Sequence, residues 1–126
     1  MKVTLTGEKE LLQKLKKLED SVRGQVLSDA LQAAAKIIQE SASQKAPRRT
    51  GTLASNIEVG KVNLTASGGE IPVGPNKKAF YGMFVEVGTS KMRAQPYLRP
   101  AIDESKGAAT SEFTKVLKAA IEGAAK

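Results

Sequence analysis

The sequence predicts an α+β domain, with an N-terminal helical region and a C-terminal helix packed on a small antiparallel sheet. Three observations point to it. Apolar residues recur at spacings of three and four in the first third and the last quarter of the chain. In the middle third they alternate with a period of two. Glycines and prolines stand where one pattern gives way to the next. The 126 residues suit one domain, residues 1–126, which is long enough to bury a core without disulfide or metal staples. Helix is expected over residues 7–46, strands and loops over 56–97, and the C-terminal helix over 99–123.

In the first segment Leu11, Leu12, Leu15, Leu18 and Val22 form the apolar stripe, and Thr6 is placed to cap it, with Lys9 where a capping box would have Glu. A break is expected near residues 20–24, where Ser21 can cap and Gly24 weakens a continuous helix. A second helix over about residues 22–44 presents Val26, Leu27, Ala30, Leu31, Ala34, Ile37 and Ile38, and its alanines, Ala33 and Ala35 among them, permit close packing. Pro47 ends it, because the residue before a proline, Ala46, is driven to extended backbone.

In the middle, Ile57 and Val59 alternate, then Val62, Leu64 and Ala66 alternate in the opposite phase, so a bulge is expected at Gly60. Ser67, Gly68 and Gly69 read as a turn, Ile71 and Val73 as a return strand that Pro72 confines to an edge or a non-donating position, and residues 74–78 as a loop. Residues 79–87 are almost continuously apolar and read as a buried strand, with a helical turn before it as an option; residues 88–96 read as a polar loop. Pro100 suits the first turn of a last helix whose stripe is Leu98, Ile102, Ala109, Phe113, Val116, Ala120 and Ile121, fraying from Gly123.

Composition removes much chemistry. The chain has no cysteine and no histidine, so thiolate catalysis, disulfides, the usual zinc sites and the commonest general base are excluded. Glu86 is the one acid inside an apolar run, but no second acid lies near it before Asp103, so a carboxylate pair for acid–base work is not indicated. No phosphate-loop string and no ligand cluster for a metal occurs. No catalytic residue, cofactor or metal is expected. The start of the chain has no apolar core of a leader, and no run is long enough for a membrane span, which predicts a soluble protein made in a cytoplasm and no membrane partner. The net charge is +7, and Lys45, Arg48, Arg49, Lys61, Lys77, Lys78, Lys91, Arg93 and Arg99 crowd the middle, which favours anionic partners. A small basic nucleic-acid-binding protein is therefore the alternative reading, although no aromatic platform accompanies the charge.

Two strings are not explained by propensity. One is Ala46-Pro47-Arg48-Arg49-Thr50-Gly51-Thr52-Leu53-Ala54-Ser55-Asn56-Ile57. The other is Tyr81-Gly82-Met83-Phe84-Val85-Glu86-Val87-Gly88-Thr89-Ser90, followed by Ala94-Gln95-Pro96-Tyr97-Leu98-Arg99-Pro100-Ala101. Together they resemble the tail-component family of long-tailed bacteriophages, typified by the gene-ten product of a lambdoid coliphage. Thr50, Gly51, Leu53, Ser55 and Ile57 match one family block, with Asn56 interposed where the family has serine and isoleucine adjacent. Phe84, Val85, Glu86, Gly88, Thr89, Gln95, Pro96, Leu98, Arg99 and Pro100 match the other, with Tyr97 where phenylalanine is common.

The resemblance implies a structural virion protein of a bacteriophage or prophage, made in the bacterial host cytoplasm. Its place would be a neck or tail-completion ring at the head–tail junction. Implied partners are copies of itself in a homo-oligomeric ring and other phage neck, tail-terminator or tail-tube proteins. Packaged DNA in the channel would make non-specific contact. The implied contact residues are Thr50, Gly51, Leu53, Phe84, Glu86, Gly88, Thr89, Lys91, Met92, Arg93, Gln95, Pro96, Tyr97, Arg99 and Pro100. Three expectations are specific. Glu86 should be partly buried and bonded to a cation, with Arg99 the first candidate, or to loop N–H groups, since an unpaired buried carboxylate is costly. Gly51 should have a positive φ or a close backbone approach. The loop over residues 88–96 should be mobile in the isolated subunit and ordered by a neighbour.

Overall fold

The computed structural model describes residues 2–7, 9–47, 51–65 and 68–124. Arg48, Arg49, Thr50, Ala66 and Ser67, which the sequence reading uses, lie outside the described residues. The chain opens with a strand, β1 (Lys2–Thr6), where the sequence reading has no element and has Thr6 as a helix cap. Val3 and Leu5 alternate on its inner face and Thr4 and Thr6 supply β-branched residues between and after them, which is a strand pattern in its own right. Helix α1 (Lys9–Leu15) follows, and the break comes at residues 16–19, a few residues earlier than expected. There the N–H groups of Lys17 and Leu18 donate to carbonyls three residues back, a tightened last turn that ends the helix.

Helix α2 (Asp20–Lys45) takes in Ser21 and Gly24 as ordinary helical residues and begins after Glu19, whose side chain makes no capping bond. It ends as the proline requires, with Ala46 at φ −63°, ψ 138°. A short helix α3 (Thr52–Ser55) then leads into β2 (Ile57–Val59) and β3 (Asn63–Leu64). Strand β4 (Gly68–Pro75) runs antiparallel to all three other strands. A 3-10 turn (Lys77–Ala79), helix α4 (Gly82–Val87) and the long helix α5 (Leu98–Ala124) complete the chain. The α+β class and the small antiparallel sheet between N-terminal and C-terminal helices agree with expectation.

Strand β4 is the centre of the sheet, not an edge. β1 pairs along one side of it, with Lys2 opposite Pro72, and β3 along the other, with Asn63 opposite Glu70. Val59 opposes Val73 and Asn63 opposes Glu70, so Gly60, Lys61 and Val62 face only Ile71 and Pro72. That single extra residue is the bulge the phase change predicts at Gly60. It also explains how a proline sits in an interior strand: the Gly60 N–H donates to the Pro72 carbonyl at 2.8 Å, and the donor that Pro72 lacks falls at the bulge. Gly68 and Gly69 belong to the strand and not to a turn. A Cβ on Gly68 would stand 1.9 Å from the Leu5 carbonyl oxygen, so the close pairing of β1 with β4 requires glycine there.

Gly69, Ile71 and Val73 turn one face of β4 toward α2, where a Cβ on Gly69 would meet Leu31 at 2.8 Å. α5 packs along α2 more extensively than any other pair of elements. Ala30, Ala34, Ala35 and Ala42 of α2 are wholly buried, and these small residues let α5 come close with Ala101, Ala109, Phe113 and Leu117. Lys45 in the last turn of α2 pairs with Glu104 of α5, which ties the two helix ends together. No described helix is long and apolar enough to cross a membrane.

Gly51 precedes α3 with φ 79°, ψ −7°, the positive φ expected of it. A Cβ there would meet nothing within 4 Å, so the need for glycine is conformational and not steric. Gly51→Val is expected to cost about 1–2 kcal/mol, the left-handed penalty of a branched residue, read as a lower urea midpoint at unchanged slope.

Candidate functional site

The apolar run at residues 79–87 is not a buried strand. It forms the end of the 3-10 turn, a bend, and α4, and the helical period sorts its residues onto two faces. The buried face carries Ala79, Gly82 and Glu86. The solvent face carries Phe80, Met83, Phe84 and Val87, which are 66%, 48%, 49% and 71% exposed. The helix is thus largely inverted: Gly82 and Glu86 face the core, Val85 packs partly against it, and Met83, Phe84 and Val87 face water, as does Phe80 just before them. The Phe80, Met83, Phe84, Val87 spacing of three, four and seven was readable in the chain, but a continuous apolar run does not itself tell helix from strand.

Glu86 shows why the inversion is stable. The N–H groups of Tyr97 and Leu98 donate to its Oε1 at 3.0 and 2.6 Å, and that of Arg99 to its Oε2 at 3.4 Å. These are the first N–H groups of α5, which the helix itself leaves without partners. The carboxylate is therefore a cap supplied from another helix, and the helix dipole favours its charge. Of the two kinds of partner expected, backbone N–H groups and not a cation hold it, and they belong to the start of α5 rather than to a loop; Arg99 contributes its backbone and not its guanidinium.

Tyr97 lies beneath α4, fully buried, and its hydroxyl donates to the Gly82 carbonyl at 3.0 Å. Burial first, then the Glu86 charge, then Tyr81, push its pKa from 10.0 up to about 12. Because the folded state holds the phenol neutral, its contribution is complete below pH 10 and is lost as pH rises through about 12. In urea melts carried into the alkaline range, the stability advantage of the parent over Tyr97→Phe is expected to shrink across that window.

The loop after α4 is pinned at both ends. Gly88, at φ 78°, closes α4, and a Cβ there would stand 2.8 Å from the Ala94 nitrogen. Thr89 and Met92 exchange backbone hydrogen bonds at 2.8 and 3.3 Å, and the Lys91 N–H donates to the Thr89 hydroxyl. The Gln95 N–H donates to the Val85 carbonyl at 2.8 Å, which holds the returning chain against α4. Lys91, Met92, Arg93 and Pro96 are exposed on this loop; Arg99 and Pro100 follow in the first turn of α5.

The two sequence blocks meet in space. A cleft of about 580 Å³ is lined by Pro47, Thr52 and Leu53 from the first, by Tyr81, Val85 and Gln95 from the second, and by Met92 from the segment between the second block's two parts. Leu53 is buried at its floor, while Tyr81 and Met92 are partly exposed and join it to the α4 ridge. Thr50 is outside the described residues. Phe80, Tyr81, Met83 and Val87, absent from the expected contact residues, belong to this surface; their helical spacing was the available signal. Among the described residues no group of three or more acidic side chains is placed to hold a metal ion. What the arrangement offers is an exposed apolar surface, the usual mark of a protein contact.

The comparisons with known proteins agree with that reading. The HK97-gp10-like family model, described as "Bacteriophage HK97-gp10, putative tail-component", matches residues 9–88, from α1 to the glycine that closes α4. The block over residues 94–101 lies beyond the matched span. No curated protein and no solved structure matches the chain. A tail-component family implies a structural role in a virion, among other phage structural proteins. The chain belongs to the HK97-gp10-like family of bacteriophage tail components.

Proposed function

We propose that this protein is a tail-completion component of the neck, which forms a homo-oligomeric ring at the head–tail junction and acts by protein–protein contact without a cofactor. The observation that carries the reading is the inverted helix α4: three large apolar side chains, Met83, Phe84 and Val87, exposed on a helix whose inner face is fixed by Gly82 and Glu86, with Phe80 exposed just before it. A lone subunit gains nothing from such a surface, whereas a subunit of an assembly buries it. The basic loops suit a channel through which DNA passes. The alternative of a free nucleic-acid-binding protein leaves the apolar ridge without a use, because phosphate contacts need charge and not Phe80 or Phe84.

The loop over residues 88–96 belongs to the same surface. Its turn is closed by its own backbone bonds, so the groups a neighbour would order are the exposed side chains of Lys91, Met92 and Arg93. Changing these three together to serine is expected to leave the melting temperature unchanged, since none of them is buried. Particles made from the gene cluster that encodes the chain should then show filled heads and separate tails by negative-stain microscopy. Joined, infectious particles carrying the triple change would remove the loop from the contact. Joined particles formed without the chain at all would remove the neck reading.

A further inference from the structure

The charge around the α4 ridge distinguishes among the partners it could meet. Residues 71–102 contain five cations, Lys77, Lys78, Lys91, Arg93 and Arg99, and one acid, Glu86. All five cations are exposed, and Glu86 is buried with its oxygens taken by the N–H groups of α5. Among the described residues the ion pairs join Lys2 to Glu70, Arg23 to Asp20 and Lys45 to Glu104, and none of them engages these five cations. One exposed acid, Glu58, lies at the Met83 edge and accepts from the Asn76 side chain at 2.9 Å, so the apolar ridge and the cleft beside it are bracketed by an excess of positive charge that Glu58 offsets only at the Lys77 end.

A second copy presenting the same face would bring like charge against like. The depression at the opposite end of β4, beside Leu12, Gly24 and Leu64, carries Lys16 and Arg23 beside Asp20, so a copy offers no acidic counterpart there either. Duplex DNA matches the charge but has no apolar surface to cover Phe80, Phe84 and Val87. What fits both features is an amphipathic segment whose apolar side is flanked by carboxylates.

We infer that the α4 face docks an acidic, amphipathic segment of a different protein, with an apolar side chain of that segment in the cleft beside Tyr81 and Met92 and its carboxylates against Lys77, Lys78, Lys91 and Arg93. This rests on the reading of α4 as an assembly surface. In the proposed ring, subunit-to-subunit contacts then fall on other surfaces, and α4 meets the next protein of the stack.

The test is fluorescence anisotropy on the full chain with three labelled probes. The first is a helical peptide of about 18 residues with leucines at the third and fourth positions of each turn and glutamates beside them. The second is the same peptide with lysines for the glutamates, and the third is a short DNA duplex. The glutamate peptide is expected to bind, more weakly as salt rises, and the lysine peptide not to bind. Phe84→Ser, at an exposed position that leaves folding intact, should weaken the glutamate peptide roughly tenfold or more, as should Lys91→Glu combined with Arg93→Glu. Equal binding of both peptides, no binding of the glutamate peptide, or no effect of Phe84→Ser overturns the inference. So does displacement of the peptide by the duplex, which would assign the face to nucleic acid. A concentration-dependent dimer abolished by Phe84→Ser would assign it to a second copy. If the peptide results hold while particles join without the chain, the neck reading fails and the acidic partner stands; the reverse pattern removes only the acidic partner.

Discussion

Glu86→Ala is expected to destabilise the protein by about 3 kcal/mol and to lower its melting temperature by roughly 10 °C. The carboxylate receives the N–H groups of Tyr97 and Leu98 at 3.0 and 2.6 Å inside the molecule, and alanine would leave both donors buried and unpaired. The longer bond from Arg99 adds little to that sum. The charge also faces the positive end of α5, so its removal forfeits a favourable dipole term. Glu86→Gln keeps one acceptor oxygen and should lose clearly less than alanine does. The comparison separates capping from packing: if alanine and glutamine variants melt together and close to the parent, Glu86 does not hold α5. Hydrogen exchange adds a local readout, since the first turn of α5 should open before the α2–α5 core does.

Gly82→Val should have an effect of similar size, at least about 2 kcal/mol, for a steric reason. Gly82 has ordinary helical backbone, so φ strain plays no part. A Cβ there would stand 2.4 Å from Leu53, 2.6 Å from the Tyr97 hydroxyl and 3.1 Å from Pro75. Leu53 and Tyr97 are fully buried; the tip of Leu53 borders the cleft, but Tyr97 is held by its bond to the Gly82 carbonyl, so valine breaks that bond or lifts α4 from its seat. The few tenths of a kcal/mol that valine gains over glycine in helix propensity do not offset this. The steric account makes a further demand: Leu53→Ala should relieve part of the clash, so the double variant should be more stable than the sum of the single effects allows. Strict additivity would place the cost of Gly82→Val elsewhere.

These two residues mark what could be read from the chain and what could not. The helices α2 and α5, the end of α2 at Pro47, the bulge at Gly60, the positive φ of Gly51 and the α+β class were legible, because each depends on local spacing or on the backbone limits of proline and glycine. The family was legible too, and the model that matches residues 9–88 agrees with it. Strand β1 was missed although its alternation was present, because five residues carry a weak signal until β4 pairs with them. In the chain alone Gly68 and Gly69 look like a turn, because glycine is favoured there. Only the distance to the Leu5 carbonyl and to Leu31 shows that they permit strands and helices to touch.

The helical character of α4 and the direction of its faces were decided by tertiary structure. Locally, residues 79–87 are an apolar run that either a buried strand or a helix can use. Once β4 presents Pro75 and α3 presents Leu53, the space left beneath the run fits only Gly82, and the start of α5 draws Glu86 inward to its free N–H groups. With glycine and glutamate turned in, the helical period must turn Phe80, Met83, Phe84 and Val87 out. The chemistry of the surface was written in the sequence, but its direction came from two contacts between residues far apart in the chain.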